Sequence, residues 1–129
     1  MLVYVAHQYS NDKRNIEKAR KITHDLAVAD RANTYVCPLL CFSYLRYNEI
    51  GYEEEINMCT DLLGECAKMI VASEISRGVQ LEIDFCKEWD IPVEYRIPNR
   101  KTVLTKIRRA IGAFRFSLWL KTHKLFRKQ

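Results

Sequence analysis

No apolar run in this sequence approaches the roughly 18–20 residues needed to span a bilayer, and the N-terminus MLVYVAHQYS turns polar with no basic stretch ahead of it. The expectation is a chain that stays in the cytoplasm where it is made. No Cys-x-x-Cys pair occurs among the five cysteines, and an odd, unpaired set argues against both a disulfide framework and a zinc site. Cys59, Cys66 and Cys86 fall on apolar faces of predicted helices, where a thiol acts as a small hydrophobe. Cys37 and Cys41 flank a loop with no histidine nearby. Internal repeats and low-complexity segments are missing too. Acid is absent from the end of the chain: residues 96–129 hold eleven Lys/Arg and no Asp/Glu, a net of +11, while residues 1–95 hold ten and sixteen, a net of −6. The overall +5 hides two parts with different electrostatic roles, and only the second suits polyanions.

What remains is a composition of 48% hydrophobic and 29% charged residues over 129 positions, enough for one core and one globular domain. Leu2–Ala6 is a short run rich in β-branched and aromatic residues, the pattern of a buried parallel strand. Asn11 or Asp12 can cap a helix over about 13–29, striped by Ile16, Ala19, Ile22, Leu26 and Ala29. His24 falls on the opposite, solvated side. Thr34–Cys37 is a second strand that Pro38 ends. Residues 38–52, PLLCFSYLRYNEIGY, are aromatic and irregular; they read either as a pocket-lining loop or as a short helical turn packed on the core. A helix at about 53–67 opens with Glu53–Glu55 at the positive end of its dipole and is striped by Ile56, Cys59, Leu62, Leu63 and Cys66. Met69–Ala72 is a third strand, Gly78–Trp89 a third helix and Pro92–Tyr95 a fourth strand. The alternation β-α-β-α-β-α-β predicts an α/β fold whose parallel sheet carries helices on both faces.

The third helix contains a residue out of place. Ser76 is a natural N-cap, and at about 100° per residue Val79, Leu81, Ile83, Phe85, Cys86 and Trp89 cover an arc of roughly 200°. Glu82 lies near the middle of that arc. An unpaired buried carboxylate costs several kcal/mol or takes up a proton. Next to it, the free N–H groups of the helix start favour an anion, and Gly78 admits close approach to the backbone. In a doubly wound sheet this corner sits at the carboxyl ends of the strands, where ligands bind. The competing reading is a structural glutamate satisfied by tyrosine or backbone donors.

Leu2–Tyr9 (LVYVAHQY), P-L-L-x-F-x-Y at 38–44, S-x-G-x-x-x-E at 76–82 and I-P-V at 91–93 together resemble the nucleoside 2-deoxyribosyltransferase-like superfamily, especially its small bacterial and phage members. The resemblance spans about residues 1–95. It implies a flavodoxin-like three-layer sandwich with a parallel sheet of four to five strands, and cleavage of an N-glycosidic bond without metal or cofactor. Glu82 matches the nucleophile that attacks the anomeric carbon, after which water or another base resolves the glycosyl-enzyme. Ser76 and Gly78 match positions that hold the sugar or its 5′-phosphate. Tyr9 matches an aromatic that orients the nucleophile or covers the base, and His7, Gln8, Pro38 and Phe42 belong to the matching ligand-binding segments. Such proteins are commonly dimers, so a homodimer is expected. Arg77 favours an anionic ligand, while Lys68 stands where the superfamily commonly has Asp. Asp61 points away from its helix's core stripe and is either solvated or at a dimer interface. The expected function is hydrolysis or deoxyribosyl transfer on a nucleoside or nucleotide; the alternative is a protein that senses or sequesters a nucleotide without turning it over.

The sequence thus divides into residues 1–95, the α/β domain, and residues 96–129, a basic helical C-terminal extension. In the extension Val103, Ile107, Ile111, Phe114 and Leu118 form a stripe. Phe116, Trp119, Leu120, Leu125 and Phe126 among lysines suit a membrane surface or polyanion. The same pattern also suits a helix that completes the fold or the dimer.

Overall fold

A computed structural model describes residues 1–97 and Gly112; apart from Arg96, Ile97 and Gly112, the extension, with its predicted helix and stripe, lies outside the described residues. Met1–Ile97 form one compact unit. Its four strands, β1 (Leu2–Ala6), β2 (Thr34–Val36), β3 (Lys68–Val71) and β4 (Val93–Tyr95), are all parallel and lie in the order β2-β1-β3-β4. This is an α/β fold with the flavodoxin-like strand order. Four helices accompany the sheet: α1 (Lys13–Ala29), α2 (Pro38–Cys41), α3 (Tyr52–Gly64) and α4 (Arg77–Glu88).

The centre of the sheet is buried on both faces, which is why β1 is a continuous apolar run. Its side chains alternate between two cores with the period of two that a strand imposes. Tyr4 and Ala6 join Met69, Val71, Leu63, Val79, Ile83 and Cys86 on the α3–α4 side. Val5 joins Ala19, Cys37 and Ala72 on the α1–α2 side, with Ile22, Leu26, Leu39 and Leu40 packed around them. Each fully buried aliphatic side chain contributes roughly 1.5–3 kcal/mol, so the strand ends are firmly held. Among the described residues no helix is long and apolar enough to cross a membrane.

Several boundaries differ from the sequence pattern. Pro38 does end β2, but it also starts α2, because proline's fixed φ suits the first helical position; α2 packs Leu39 and Leu40 onto the core. The packed-turn reading of residues 38–52 therefore holds for its first part. Helix α3 stops at Gly64, where the N–H groups of Glu65 and Cys66 fall back onto the Leu62 and Leu63 carbonyls at 3.1 and 3.0 Å. Asp12, rather than Asn11, caps α1, accepting from the Arg14 N–H at 3.0 Å. Ala29 is exposed, not part of the buried stripe: it is the last residue of α1, beyond the reach of the core. In α4 the buried positions are Val79, Glu82, Ile83 and Cys86, an arc of only about 100°. Leu81 and Trp89, predicted inside, are 37% and 65% exposed; α4 meets the sheet along the i, i+4, i+7 line of Val79, Ile83 and Cys86, and these two lie to its side.

The chain leaves β1 for α1 on one face and β3 for α4 on the other. Their carboxyl ends are adjacent, with Ala6 paired to Val71 and the Ala72 N–H bonded to the Ala6 carbonyl at 2.9 Å. That divergence opens a crevice at the topological switch point.

Candidate functional site

The crevice is a cleft of about 420 Å³, within the range of small-molecule sites. Three segments build it: the β1–α1 loop, the stretch from α2 into α3, and the start of α4. Of the residues expected at the site, His7, Tyr9, Pro38, Phe42, Ser76, Arg77, Gly78 and Glu82 line the cleft. Gln8 does not line it. Its backbone N–H donates to Ser73 Oγ at 2.8 Å and its carbonyl accepts from His7 Nδ1 at 2.8 Å, so Gln8 ties the loop to β3's end rather than facing a ligand. Asp61 is exposed and outside the cleft. Lys68 is at the amino end of β3, away from the cleft, paired with Glu94 at 3.3 Å.

Glu82 is 6% exposed. Helix α4 holds it there because Val79, Ile83 and Cys86 on either side are pinned in the core. Its Oε2 has no hydrogen-bond partner, nor does the nearby Tyr4 hydroxyl. Burial pushes the Glu82 carboxyl up to about 7, and the Tyr4 hydroxyl pulls it part of the way back. The Tyr4 hydroxyl is thus close enough to favour the ionised carboxylate as a donor, although the two do not complete a well-formed hydrogen bond. Tyr4 itself is raised well above its ordinary value, by burial first and then by Glu82, so it stays a neutral phenol. A buried acceptor with no donor is costly. A ligand group entering the cleft can relieve that cost.

The other polar groups are already positioned. Ser76 Oγ accepts from the Val79 N–H at 3.3 Å as the N-cap of α4. The Arg77 guanidinium lies 5.2 Å from the Tyr52 ring centroid, a cation–π distance. At Gly78 an added Cβ would lie 3.7 Å from the Tyr52 hydroxyl, in ordinary contact; the fold tolerates a side chain there, and the space belongs to the cleft. His7 is buried, and burial lowers its pKa below the ordinary value against the pull of its bond to Gln8. Because a carbonyl only accepts, His7 Nδ1 carries the proton and Nε2 is left as an acceptor. Tyr9 meets Tyr47 edge to face at 6.1 Å between centroids. The loop that carries Tyr9 turns through two consecutive left-handed residues, Ser10 at φ 51° and Asn11 at φ 49°, and the buried Asn15 anchors it through Nδ2 to the Tyr9 carbonyl at 2.8 Å.

The pocket-lining reading of residues 38–52 holds for Phe42, Arg46, Tyr47 and Tyr52, which line the cleft, while Glu55 and Cys59 on α3 line it too and escaped the sequence reading. One signal was available for Glu55, which is four residues before Cys59 and so borders the α3 apolar stripe. Burial first, then the charge of Glu82, push the half-buried Cys59 thiol up to about 12. All five cysteines are free. Among the described residues no group of three or more His, Cys, Asp or Glu is placed to hold a metal ion.

The arrangement offers aromatic walls, guanidinium groups from Arg46 and Arg77, the N-terminus of a twelve-residue helix, and a buried carboxylate. It can hold a planar ligand with an anionic end and present a carboxylate oxygen to it. The model of a family described as a domain of unknown function (DUF7768) matches residues 1–96. No curated protein and no solved structure matches the chain.

Proposed function

This chain belongs to the DUF7768 family, and we propose that its cleft binds a nucleoside or nucleotide and that Glu82 attacks the anomeric carbon to release the base. The observation that carries this reading is the Glu82 carboxylate, buried and unpartnered, lining an aromatic cleft. A base stacks favourably on tyrosine and phenylalanine. The arginines and the start of α4 favour a phosphate. An oxygen without a donor is free to bond to carbon, and its negative charge stabilises an oxocarbenium-like centre. The superfamily resemblance described above supports the same assignment through S-x-G-x-x-x-E at Ser76, Gly78 and Glu82.

The test is free-base release from a panel of deoxynucleosides and their 5′-monophosphates. Release that vanishes in Glu82→Ala is expected; no release by pure wild-type protein, or release that survives the substitution, rejects the reading. A second reading has its own observation. Because burial pushes Glu82 up to about 7, much of it is protonated at neutral pH and a poor nucleophile, as suits a protein that binds a nucleotide and leaves it intact. Calorimetry followed by recovery of the ligand separates the two: tight binding with intact ligand supports binding alone. A homodimer remains part of this proposal, to be tested by gel filtration and light scattering.

A further inference from the structure

His7 has one ring nitrogen committed and the other open. It directly follows β1 and is 6% exposed. Its Nδ1 donates to the Gln8 carbonyl at 2.8 Å, and the Gln8 N–H ties the same loop to Ser73. The ring cannot turn over without losing that bond. Among the described residues no donor reaches Nε2, and the sealed side-chain atoms without a partner are the Tyr4 hydroxyl and Glu82 Oε2. Nε2 therefore keeps contact with open space, and the open space that His7 borders is the cleft. No described carboxylate pairs with the ring. Burial lowers its pKa, the bond to Gln8 opposes that, and the positive charge of Lys18 adds to it. The result is a neutral imidazole whose free lone pair has a fixed direction. Glu82, buried with an unpartnered Oε2 and lining the same cleft, is the independent sign that a ligand enters there.

Resting on the nucleotide reading above, we propose that His7 is a specificity-determining residue whose Nε2 accepts a hydrogen bond from a neutral donor on the ligand, either a sugar hydroxyl or a base N–H. An unprotonated ring nitrogen offers a lone pair and no proton. A phosphate or carbonyl oxygen set against it would leave two acceptors facing each other, each stripped of its water. The anionic end of the ligand is thereby directed elsewhere in the cleft, to the start of α4 and the arginines, where free N–H groups and guanidinium favour it. His7 thus selects for a donor and orients the ligand at once. A site built around such a polar contact rejects an analogue that lacks the matching group more strongly than an apolar wall rejects one of the wrong size. The contact moves no proton, so it holds whether the ligand is cleaved or only bound.

Two variants split the functions of the ring, and calorimetry with the common deoxynucleoside 5′-monophosphates compares them with wild type. His7→Asn places an amide N–H near the Nδ1 position, keeping the tie to Gln8, and deletes the acceptor at Nε2. His7→Gln places an amide oxygen near the Nε2 position and gives up the tie. His7→Asn should weaken the tightest-binding nucleotide about tenfold, and His7→Gln should recover most of that loss. A residue that only holds the loop gives the reverse order, so the reverse order, equal losses or no loss overturns the role. Repeating the comparison with the 2′,3′-dideoxy counterpart identifies the donor: an effect of His7→Asn that disappears assigns it to the 3′-hydroxyl, and one that persists assigns it to the base. Nitrogen-15 NMR of histidine-labelled wild-type protein gives a readout that depends on no variant folding. At neutral pH the His7 ring should be the Nδ1–H tautomer, and its Nε2 resonance should move upfield on saturation with the nucleotide. An Nε2–H tautomer, an imidazolium in the complex, or an Nε2 resonance that stays in place overturns the role. Wild-type protein that binds none of these nucleotides removes the nucleotide reading itself, and this role with it.

Discussion

Glu82→Gln preserves the volume of the buried side chain while deleting its titration, so comparing variant and wild type at two pH values isolates the cost of the buried charge. In the unfolded chain the carboxyl ionises near its ordinary 4.5, whereas in the fold burial holds the proton until about 7. Between those values the folded state keeps a proton that the unfolded state has lost, so stability falls as pH rises across the window. Each pH unit costs about 1.4 kcal/mol, which gives about 3 kcal/mol in all. Below the window the group costs nothing through ionisation, and above it the full cost persists. Glutamine carries no such cost. Any penalty for an unsatisfied amide, about 1–3 kcal/mol, is the same at every pH and cancels in the difference. The advantage of Glu82→Gln over wild type should therefore rise by about 3 kcal/mol between about pH 4 and pH 8. Urea denaturation of both proteins across that range measures it. A difference that does not change with pH would refute the reasoning, showing Glu82 to be ionised and satisfied in the fold.

Three further outcomes follow from the site. Ser76→Ala removes the cap that accepts from Val79 and should cost about 1 kcal/mol in denaturant midpoints. Gly78→Ala should leave folding stability within about 0.5 kcal/mol, since the added carbon meets only ordinary contacts; it should weaken nucleotide binding about tenfold by calorimetry, a cost of about 1.4 kcal/mol. Tyr4→Phe removes the hydroxyl that holds Glu82 down, so the acid limb of the pH–rate profile should move to higher pH; at about pH 4, where ionisation of Glu82 costs nothing, stability should be unchanged or raised because an unpartnered buried hydroxyl is gone.

Glu82 was visible in the sequence because it breaks a stripe whose other members, Val79, Ile83 and Cys86, could only face a core. The same periodicity placed Leu81 and Trp89 inside, because hydrophobicity marks what can be buried and not what the neighbouring elements cover. The sheet and its switch point were legible from the alternation of apolar runs, and with them the cleft that Tyr9, Ser76 and Gly78 line. Tyr4 was not, since within LVYVA it reads as one more core side chain, and only the packing of β1 under α4 brings its hydroxyl to Glu82. Asn15 and Ser73, which fix the β1–α1 loop by hydrogen bonds to its backbone, carry no periodic signal. Gln8 sat within a matching segment, yet its backbone does the work.

A covalent bond between Glu82 and a sugar is the central claim, and intact-protein mass spectrometry tests it most directly. Protein mixed with deoxynucleoside 5′-monophosphates and quenched in acid within milliseconds should gain the mass of one deoxyribose phosphate. Tryptic cleavage after Arg77 and Lys87 should confine that mass to Gly78–Lys87, and fragmentation should place it on Glu82 and not on Asp84. The adduct should be absent from Glu82→Gln. Base released at full rate with no adduct, or an adduct on any other residue, would contradict the account.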